Sequence, residues 1–302
     1  MTPSIAGVAI MARHELADAV RSRRALVLLT LYLVGSVAAT AIFATLLKHI
    51  EVEVSAAVGL ESAKQVGTVS STLWKSKPFR EMVIHLTGDR ALGETLLQVP
   101  PVGLFYGWLS LTFAPLLVLM TAAGRMAEDI GDGSARFILF RSSRLDWCLG
   151  TFLGQAGQLL LALLLSALGA WVTGWWRLAG AFDAVATMQA MLWLAFKAWF
   201  YALAALGLAL GVSQFFSSPH LATVVGFIVL VGLSVLAGLA RHFSGDGLRR
   251  LWDLALLLTP GGHRLGVWHN DAAHLLPTMA YLVALAFVYL FAGYAYLARR
   301  DL

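Results

Sequence analysis

The chain has 302 residues, of which 59% are hydrophobic and 13% are charged, and its mean hydropathy is +0.76. A soluble domain carries about 25% charged residues, so a chain this apolar has too little polar surface to cover a globule in water and belongs in a membrane. The single cysteine excludes an intramolecular disulfide framework and a cysteine-based zinc site. The formal charge of +5, with no nucleic-acid-binding motif, indicates cytoplasmic flanks and anionic lipid, and no nucleic acid as a partner.

Residues 1–24 are predicted to form an amphipathic elbow helix on the membrane surface. Apolar residues recur at helical spacing from Ile5 to Ala19, and Arg21-Ser-Arg-Arg24 stands directly before an apolar run. Arginines anchor such a helix to the membrane lipid of an anionic leaflet. The alternative interpretation is a frayed, solvated terminus.

Six apolar segments are long enough to cross about 30 Å of hydrocarbon as helices. They are residues 25–47, 103–124, 148–174, 187–212, 219–240 and 275–297. The first is longer than the roughly 7–15 residues of a signal-peptide core, so it is predicted to be a retained span. The fold class is therefore an all-α polytopic membrane protein with six transmembrane helices, forming one domain over residues 1–302.

Two longer connections are predicted on the same side of the membrane. Residues 48–102 carry both signs of charge and local helical patterns, which indicates a helical extracytoplasmic loop between the first two spans. Residues 241–274 form the second loop. Within it, the stretch around Leu248–Leu258, broken at Pro260-Gly-Gly262, favours a re-entrant or interfacial helix.

The distribution of basic residues predicts the orientation. An even number of spans places both termini on one side, together with the 125–147 loop and the 213–219 turn. These short segments carry ten Lys and Arg residues, against eleven in the much longer loops of the other side. Because short loops decide the positive-inside rule, both termini are predicted to be cytoplasmic.

The spans contain almost no groups that could carry out catalysis. The sequence has no H-E-x-x-H motif, no paired carboxylates in a span and no G-x-S-x-G motif. It also lacks the G-x-x-x-x-G-K-[ST] loop that binds ATP phosphates. The chain is therefore predicted to be non-catalytic, with no cofactor of its own, and to take any energy from another protein.

Lys197 is the only ionised side chain well inside a predicted span. It is either a substrate-pathway or partner site near mid-membrane, or a lysine at interfacial depth whose ammonium group snorkels outward. A second group of polar residues, in the 241–274 loop, could ligate a metal or simply be solvated. Its members are His263, His269, Asp271 and His274.

Two glycine pairs within the spans predict close helix packing. Gly150 and Gly154, and likewise Gly207 and Gly211, are four residues apart and would let another helix approach closely. Such pairs support packing inside the bundle and do not identify a dimer interface.

The charged loop at residues 125–147 is interpreted as a coupling element on which another protein acts. Gly131-Asp-Gly133 permits a turn, and Ser142-Ser143 can cap the next helix. The alternative is an ordinary positive-inside loop. The residues predicted to contact the partner are Glu128, Asp129, Gly133, Ser134, Arg136, Arg141 and Arg144.

This order of parts resembles a type-2 ABC exporter permease, the membrane subunit of an ATP-driven transporter. Three places carry the resemblance: the elbow with Arg21-Ser-Arg-Arg24, the segments Glu128-Asp-Ile-Gly-Asp-Gly-Ser-Ala-Arg136 and Arg141-Ser-Ser-Arg144, and the C-terminal Tyr296-Leu-Ala-Arg-Arg-Asp-Leu302. The sequence departs from the family at Ser142, where a proline is usual, and at Gln155, where a lysine is usual. The long first loop is closest in layout to the permeases of nitrous-oxide-reductase maturation and of gliding motility.

The resemblance implies a set of partners. The 125–147 loop would fit a cleft in a separate ABC ATP-binding subunit, which holds ATP and Mg²⁺. A second permease copy, identical or related, would complete the pathway in a bacterial inner membrane. Its function would be export or membrane extraction of a substrate that the sequence does not name.

Two other functions stay open from the residues. The chain could be a mechanotransmission or scaffold subunit that acts on an extracytoplasmic partner through the 48–102 loop without transport. It could also be a membrane enzyme whose site lies at the histidine and aspartate cluster of the last outer loop.

Overall fold

The computed structural model describes residues 4–21, 23–58, 77–87, 89–178, 183–242 and 249–300. Within these ranges the chain consists of helices and turns, with no strand. Six of the helices are long and apolar enough to cross a membrane. The predicted fold class, an all-α polytopic membrane protein, is therefore confirmed.

The described helices follow one another in the order of the predicted segments. They are α1 (Ile5–Arg21), α2 (Arg23–Val58), α3 (Lys77–Thr87), α4 (Arg90–Gln98), α5 (Pro101–Ala122), α6 (Arg125–Gly131), α7 (Ser134–Arg141), α8 (Arg144–Leu178), α9 (Ala184–Ser213), α10 (Pro219–His242), α11 (Arg249–Leu258) and α12 (Ala272–Leu297). Short 3-10 helices at Pro260–His263 and Gly266–Trp268 separate α11 from α12.

Several helices are longer than the apolar segments that predicted them. Helix α2 continues to Val58 and helix α8 begins at Arg144, so both include charged residues beyond the hydrocarbon-length core. Hydropathy identifies only the apolar part of a helix. The helix extends beyond that part for as long as successive residues keep the regular backbone hydrogen bonds. Part of the predicted 48–102 loop, residues 59–76, lies outside the described residues.

Helix α9 forms the centre of the bundle. Its most apolar stretch is 78% buried, against 11% for α2, and it packs against α5, α8, α10 and α12. Its inner face is rich in alanine and glycine, and small side chains let neighbouring backbones approach. Among the spans, helix α2 packs mainly along α5 and α8, and much of the apolar surface of its described side chains faces outward.

Both glycine pairs allow close approach, as predicted. A Cβ atom at Gly207 or Gly211 would meet the backbone of α12 at Ala286 and Tyr289, and Gly293 of α12 faces Gly211 in return. Gly150 and Gly154 instead lie against α1, where a Cβ would meet Met11 and Glu15. The first pair packs one span on another, and the second seats the predicted elbow helix along α8.

The bundle has two ends, which differ in the connections that they carry. The terminal end holds α1, α6, α7, the 214–218 turn and the last turn of α12. Hydrogen bonds join α1 to α6 and connect these elements to the ends of α8 and α9. The distal end holds α3, α4 and the start of α9. Helix α1 lies along the first part of α8 and is fixed at its start, since the Ser4 amide donates to Asp146 Oδ1 at 2.9 Å.

The connection between α10 and α12 folds back into the bundle. Arg264 Nη2 donates to Thr112 Oγ1 at 2.7 Å, and Thr112 lies halfway along α5. The hydroxyls of Tyr281 and Tyr289, both on α12, donate to the carbonyls of Leu257 and Leu258. The last turn of α11 and the 3-10 helices therefore pack against the bundle, and we call residues 259–271 the re-entrant connection.

Candidate functional site

Helices α6 and α7 form a hairpin at the terminal end. Gly133 makes the turn between them with a φ of 75°, a left-handed conformation that glycine adopts without the steric cost of a Cβ atom. The Ser134 hydroxyl donates across the turn to the Asp129 carbonyl at 3.2 Å and lies 3.3 Å from its carboxylate. The predicted turn is confirmed, and Ser134 and Asp129 hold it closed.

Helix α7 has one packed face and one exposed face. Ala135 is buried, and Ile138 and Leu139 pack against the core. Phe137 and Phe140 point outward with 75% and 77% of their surface exposed. Large aromatic side chains presented in this way are typical of a partner-binding surface.

Two predicted contact residues lie beside these phenylalanines. Arg136 and Arg141 are exposed and immediately precede Phe137 and follow Phe140. We call the four residues the α7 surface: Arg136, Phe137, Phe140 and Arg141. It combines fixed positive charge with aromatic area, so it suits a partner cleft with acidic and apolar walls.

Helix α6 attaches the hairpin to the ends of two spans. The Ala127 amide donates to Ser213 Oγ at 2.9 Å, at the last residue of α9. A Cβ at Gly131 would meet the carbonyl of Ser217, and one at Gly124 would lie 3.0 Å from Pro219, the first residue of α10. A displacement of the hairpin is therefore transmitted to α9 and α10 through direct contact.

Arg144 has an internal role rather than an exposed one. Its Nη1 donates to the carbonyls of Leu297 and Ala298 at 2.7 and 2.9 Å, at the end of α12. Carbonyls at a helix C-terminus lack the regular amide partner four residues on, so the guanidinium supplies donors there, in addition to the Arg300 amide that donates to Leu297 at 3.2 Å. Arg144 thereby joins the start of α8 to the end of the last span.

Ser143 caps α8, as the sequence predicted. The Asp146 amide donates to Ser143 Oγ at 3.0 Å, and the Ser143 amide donates to Asp146 Oδ2 at 3.2 Å. This reciprocal pair is a capping box, which satisfies two backbone donors at the start of the helix.

A charged network lies between α1 and α6. Arg125 forms ion pairs with Glu15 at 3.2 Å and with Asp18 at 3.0 Å, and its Nη1 lies 4.0 Å from Asp129 Oδ1. Glu15 is 6% exposed and also accepts from Gln155 Nε2 at 3.4 Å. The network links the elbow helix to the hairpin and borders a cavity of about 70 Å³.

The predicted coupling residues divide into two groups. Glu128, Arg136 and Arg141 are exposed, whereas Asp129, Ser134 and Arg144 make the internal contacts described above. Phe137 and Phe140 were not predicted as site residues. Their spacing of three within an eight-residue helix was visible in the sequence, but the sequence alone does not say which face of so short a helix packs on the bundle.

Lys197 is buried inside the bundle, with 1% of its surface exposed. Its Nζ donates to the His269 carbonyl and to Asn270 Oδ1, both at 2.7 Å, and lies 3.5 Å from the Trp268 carbonyl. The interpretation that Lys197 snorkels outward is therefore wrong. Its ammonium group holds the re-entrant connection against α9, and Trp268 and Asn270 are partners that sequence reasoning missed.

The structure brings part of the candidate outer metal site together: the rings of His269 and His274 stack with their centroids 5.1 Å apart. His269 Nε2 is 3.5 Å from Asp89 Oδ2, and His274 Nδ1 is 2.9 Å from Asp271 Oδ2. His263 packs on the Tyr281 ring instead. Within the described ranges, no group of three or more His, Cys, Asp or Glu residues could hold a metal ion.

Asp271 serves α12 as a helix cap. Its carboxylate accepts the Ala273 amide at 3.3 Å as well as the His274 side chain. The hydrogen bond with His274, followed by that with the amide, lowers the pKa of Asp271 below its usual value. The Asp271 carboxylate therefore caps the start of the last span.

The fold and these contacts define a multi-pass, all-helical membrane protein with an exposed hairpin at its terminal end. No protein-family model matches the chain, and no curated protein matches it in sequence.

Proposed function

We propose that the chain is the permease subunit of an ATP-driven ABC transporter, located in the bacterial inner membrane with both termini in the cytoplasm. The chain itself is not an enzyme in this proposal. ATP and Mg²⁺ bind to a separate ATP-binding subunit, and a second permease copy completes the pathway. The terminal end then faces the cytoplasm, where the ATP-binding subunit docks.

The observation that carries this proposal is the α7 surface. Phe137 and Phe140 are among the most exposed large apolar side chains of the protein, and they are flanked by arginines at the end of the bundle. Aromatic residues and arginine are the residue types most enriched at binding hot spots. A short helix that presents them at the end of a membrane bundle suits a soluble partner beneath the membrane.

The attachment of the hairpin supports a mechanical role for that contact. A push on α7 reaches α9 through the bond from Ala127 to Ser213, and reaches α10 through the contact of Gly131 with Ser217. Helix α9 packs against four other spans, so a shift of its end moves the bundle rather than one helix. The spans that would respond are therefore directly connected to the surface that would be pushed.

The experiment is affinity purification of the tagged chain from detergent-solubilised membranes, followed by mass spectrometry and an ATPase assay. An ATP-binding subunit should co-purify in stoichiometric amount. The double variant Phe137→Ala/Phe140→Ala should lose it, because truncating aromatic hot-spot residues weakens an interface by about 2–4 kcal/mol, or about 30- to 1,000-fold. Arg136→Glu should weaken the same complex by charge reversal.

The matched control is Trp176→Ala, which removes an aromatic residue that is 78% exposed on α8 near the distal end. It should leave co-purification unchanged. If no ATP-binding subunit co-purifies in a mild detergent, the permease proposal is wrong. If the double variant retains the subunit at wild-type yield, the α7 surface is not where the subunit docks.

A second candidate function is mechanotransmission to an extracytoplasmic partner without transport. A chain of contacts favours it: Asp89 at the start of α4 lies 3.5 Å from His269, and the His269 carbonyl accepts from Lys197 on α9. Motion of α9 is therefore linked to the distal helices α3 and α4. An outer partner cross-linked to residues 77–98, in a complex that hydrolyses ATP but transports no substrate, would favour this function.

A further inference from the structure

An apolar groove runs along the outside of the bundle between α2 and α5. It has a volume of about 350 Å³ and almost entirely apolar walls. Several of its lining residues are exposed on the outer surface, including Leu31 at 64% and Met120 at 51%, so the groove opens toward the lipid. A pocket of this size suits one small molecule or one alkyl chain.

The length of the groove matches one leaflet of a bilayer. It extends from Leu28 to Ala39 along α2 and from Leu109 to Met120 along α5. Each stretch is about 16 Å at 1.5 Å per residue. Because the hydrocarbon core is about 30 Å thick, the groove spans about half of it.

A charged cavity adjoins the terminal end of this groove. Leu28 lines both the groove and the cavity beneath the α6–α7 hairpin. The charged groups that line the cavity are the carboxylates of Glu15, Asp18 and Glu128 and the guanidinium of Arg125. Since Arg125 already pairs with Glu15 and Asp18, the lining carries an excess of negative charge. Such a cavity attracts a cation and repels an anionic headgroup.

The groove also contains a buried polar group without a partner. Ser36 is 2% exposed and lines the groove, and its hydroxyl makes no hydrogen bond. A buried hydroxyl without a partner costs free energy, whereas a polar atom on a bound molecule would satisfy it. Ser36 lies eight residues beyond Leu28, about 12 Å along α2, so it is placed to bond to a hydroxyl or carbonyl part-way along a bound chain.

We propose that the groove and the cavity together bind one single-chain amphiphile with an amine headgroup, taken from the leaflet at the terminal end. The alkyl chain lies along α2 and α5, and the amine lies among Glu15, Asp18 and Glu128. Any polar atom that bonds to Ser36 lies part-way along the chain. The site goes beyond the proposed function and does not depend on it, because it requires neither an ATP-binding subunit nor a second permease copy.

The test uses the full chain in nanodiscs of zwitterionic phosphatidylcholine. The probe is a long-chain primary alkylamine that carries a photoactivatable diazirine in its chain, and its N-acetylated analogue supplies the same chain with a neutral head. After irradiation, labelled peptides are identified by mass spectrometry. The amine probe should label the peptides at 28–39 and 109–120 at least about tenfold more than the acetylated probe does, since one charge-assisted contact contributes about that factor.

Two variants locate the site. At Gly35 an added Cβ meets no atom within 4 Å, so Gly35→Leu fills the groove without disturbing the packing. Gly232 on α10 is equally open and outside the groove, which makes Gly232→Leu the matched control. Gly35→Leu should reduce labelling at least about tenfold, Gly232→Leu should not change it, and Glu128→Gln should reduce amine labelling about threefold with no effect on the acetylated probe.

Three results would overturn the proposal. Equal labelling by the two probes would show that the acidic cavity does not select the headgroup. Labelling spread over all six spans, or unchanged by Gly35→Leu, would show that the groove is not a binding site. A dimer cross-linked through α2, with the groove unlabelled, would show that a second copy of the chain covers it. None of these results bears on co-purification of an ATP-binding subunit, so the two proposals are tested separately.

Discussion

Replacing Lys197 by methionine should release the re-entrant connection from α9. The change keeps an unbranched chain of similar length and removes the ammonium group that donates to the His269 carbonyl and to Asn270 Oδ1. Both acceptors lie in the short segment before α12. The His269 carbonyl then faces the bundle without this donor, whereas Asn270 keeps a bond from Trp193 Nε1 at 3.3 Å.

The size of the effect follows from these contacts. A buried hydrogen bond from a charged donor contributes about 1.5–3 kcal/mol in proteins, although bonds measured between membrane helices average only about 0.6 kcal/mol. The ammonium group also lies 5.8 Å from the Trp193 ring centre, which adds a cation–π contribution of about 0.5–1 kcal/mol. Relief of the buried charge offsets part of the loss. We therefore expect the free energy required to open the re-entrant connection to be about 2–3 kcal/mol lower in Lys197→Met than in the wild type.

Hydrogen–deuterium exchange measured by mass spectrometry reads this opening directly. The Arg264 and Trp268 amides donate within the 3-10 turns, at 3.3 and 3.0 Å, so they exchange only when the turns open. A loss of 2–3 kcal/mol corresponds to about 30- to 150-fold faster exchange in the peptide that covers 259–271.

The matched control is Lys77→Met, which removes a lysine whose side chain is 89% exposed at the start of α3. It should leave exchange at 259–271 unchanged. If Lys197→Met leaves exchange at 259–271 within about threefold of the wild type, or increases exchange equally in all helices, Lys197 does not hold this connection.

Two further predictions concern helix packing and capping. Gly211→Ala should destabilise the protein by about 1–3 kcal/mol because its Cβ would meet the Tyr289 carbonyl, whereas Gly232→Ala, in open space, should be neutral or stabilising by up to about 1 kcal/mol. Cys148 is buried, so it reacts with a thiol-reactive fluorophore only when heating unfolds the protein, and this reaction gives the melting temperature of each variant. Equal melting temperatures for Gly211→Ala and the wild type would contradict the close contact. Ser143→Ala should cost about 1 kcal/mol in equilibrium unfolding by losing the bond from the Asp146 amide. Ser217→Ala is the control, since Ser217 is exposed and meets Gly131 of α6 through backbone atoms.

Much of the local structure could be predicted from short stretches of sequence. The capping box at Ser143, the turn at Gly133 and the break at Pro260-Gly-Gly262 depend on residues within a few positions of one another. Each is specified by backbone chemistry that needs no distant partner. The two glycine pairs likewise predicted that another helix packs closely at these positions. They did not predict which helix that is.

The contacts between distant segments could not be predicted in this way. Gly150 and Gly154 contact α1, and Arg144 bonds to residues more than 150 positions away at the end of α12. The charge pattern of the 125–147 loop marked Arg144 as an exposed contact residue like Arg136 and Arg141. A guanidinium serves equally well in a partner cleft or on the carbonyls at a helix end, so charge alone does not distinguish the two roles.

The six spans were readable in the sequence because the hydrophobic length of a segment is a sum over consecutive residues, and the membrane requires that length of any helix that crosses it. The depth of Lys197, the outward face of α7 and the groove between α2 and α5 depend instead on which segments pack side by side. Interior packing selects one arrangement through contacts between residues far apart in the chain. Consequently the membrane class of this protein is a property of its composition, whereas its candidate binding surfaces arise only where its helices meet.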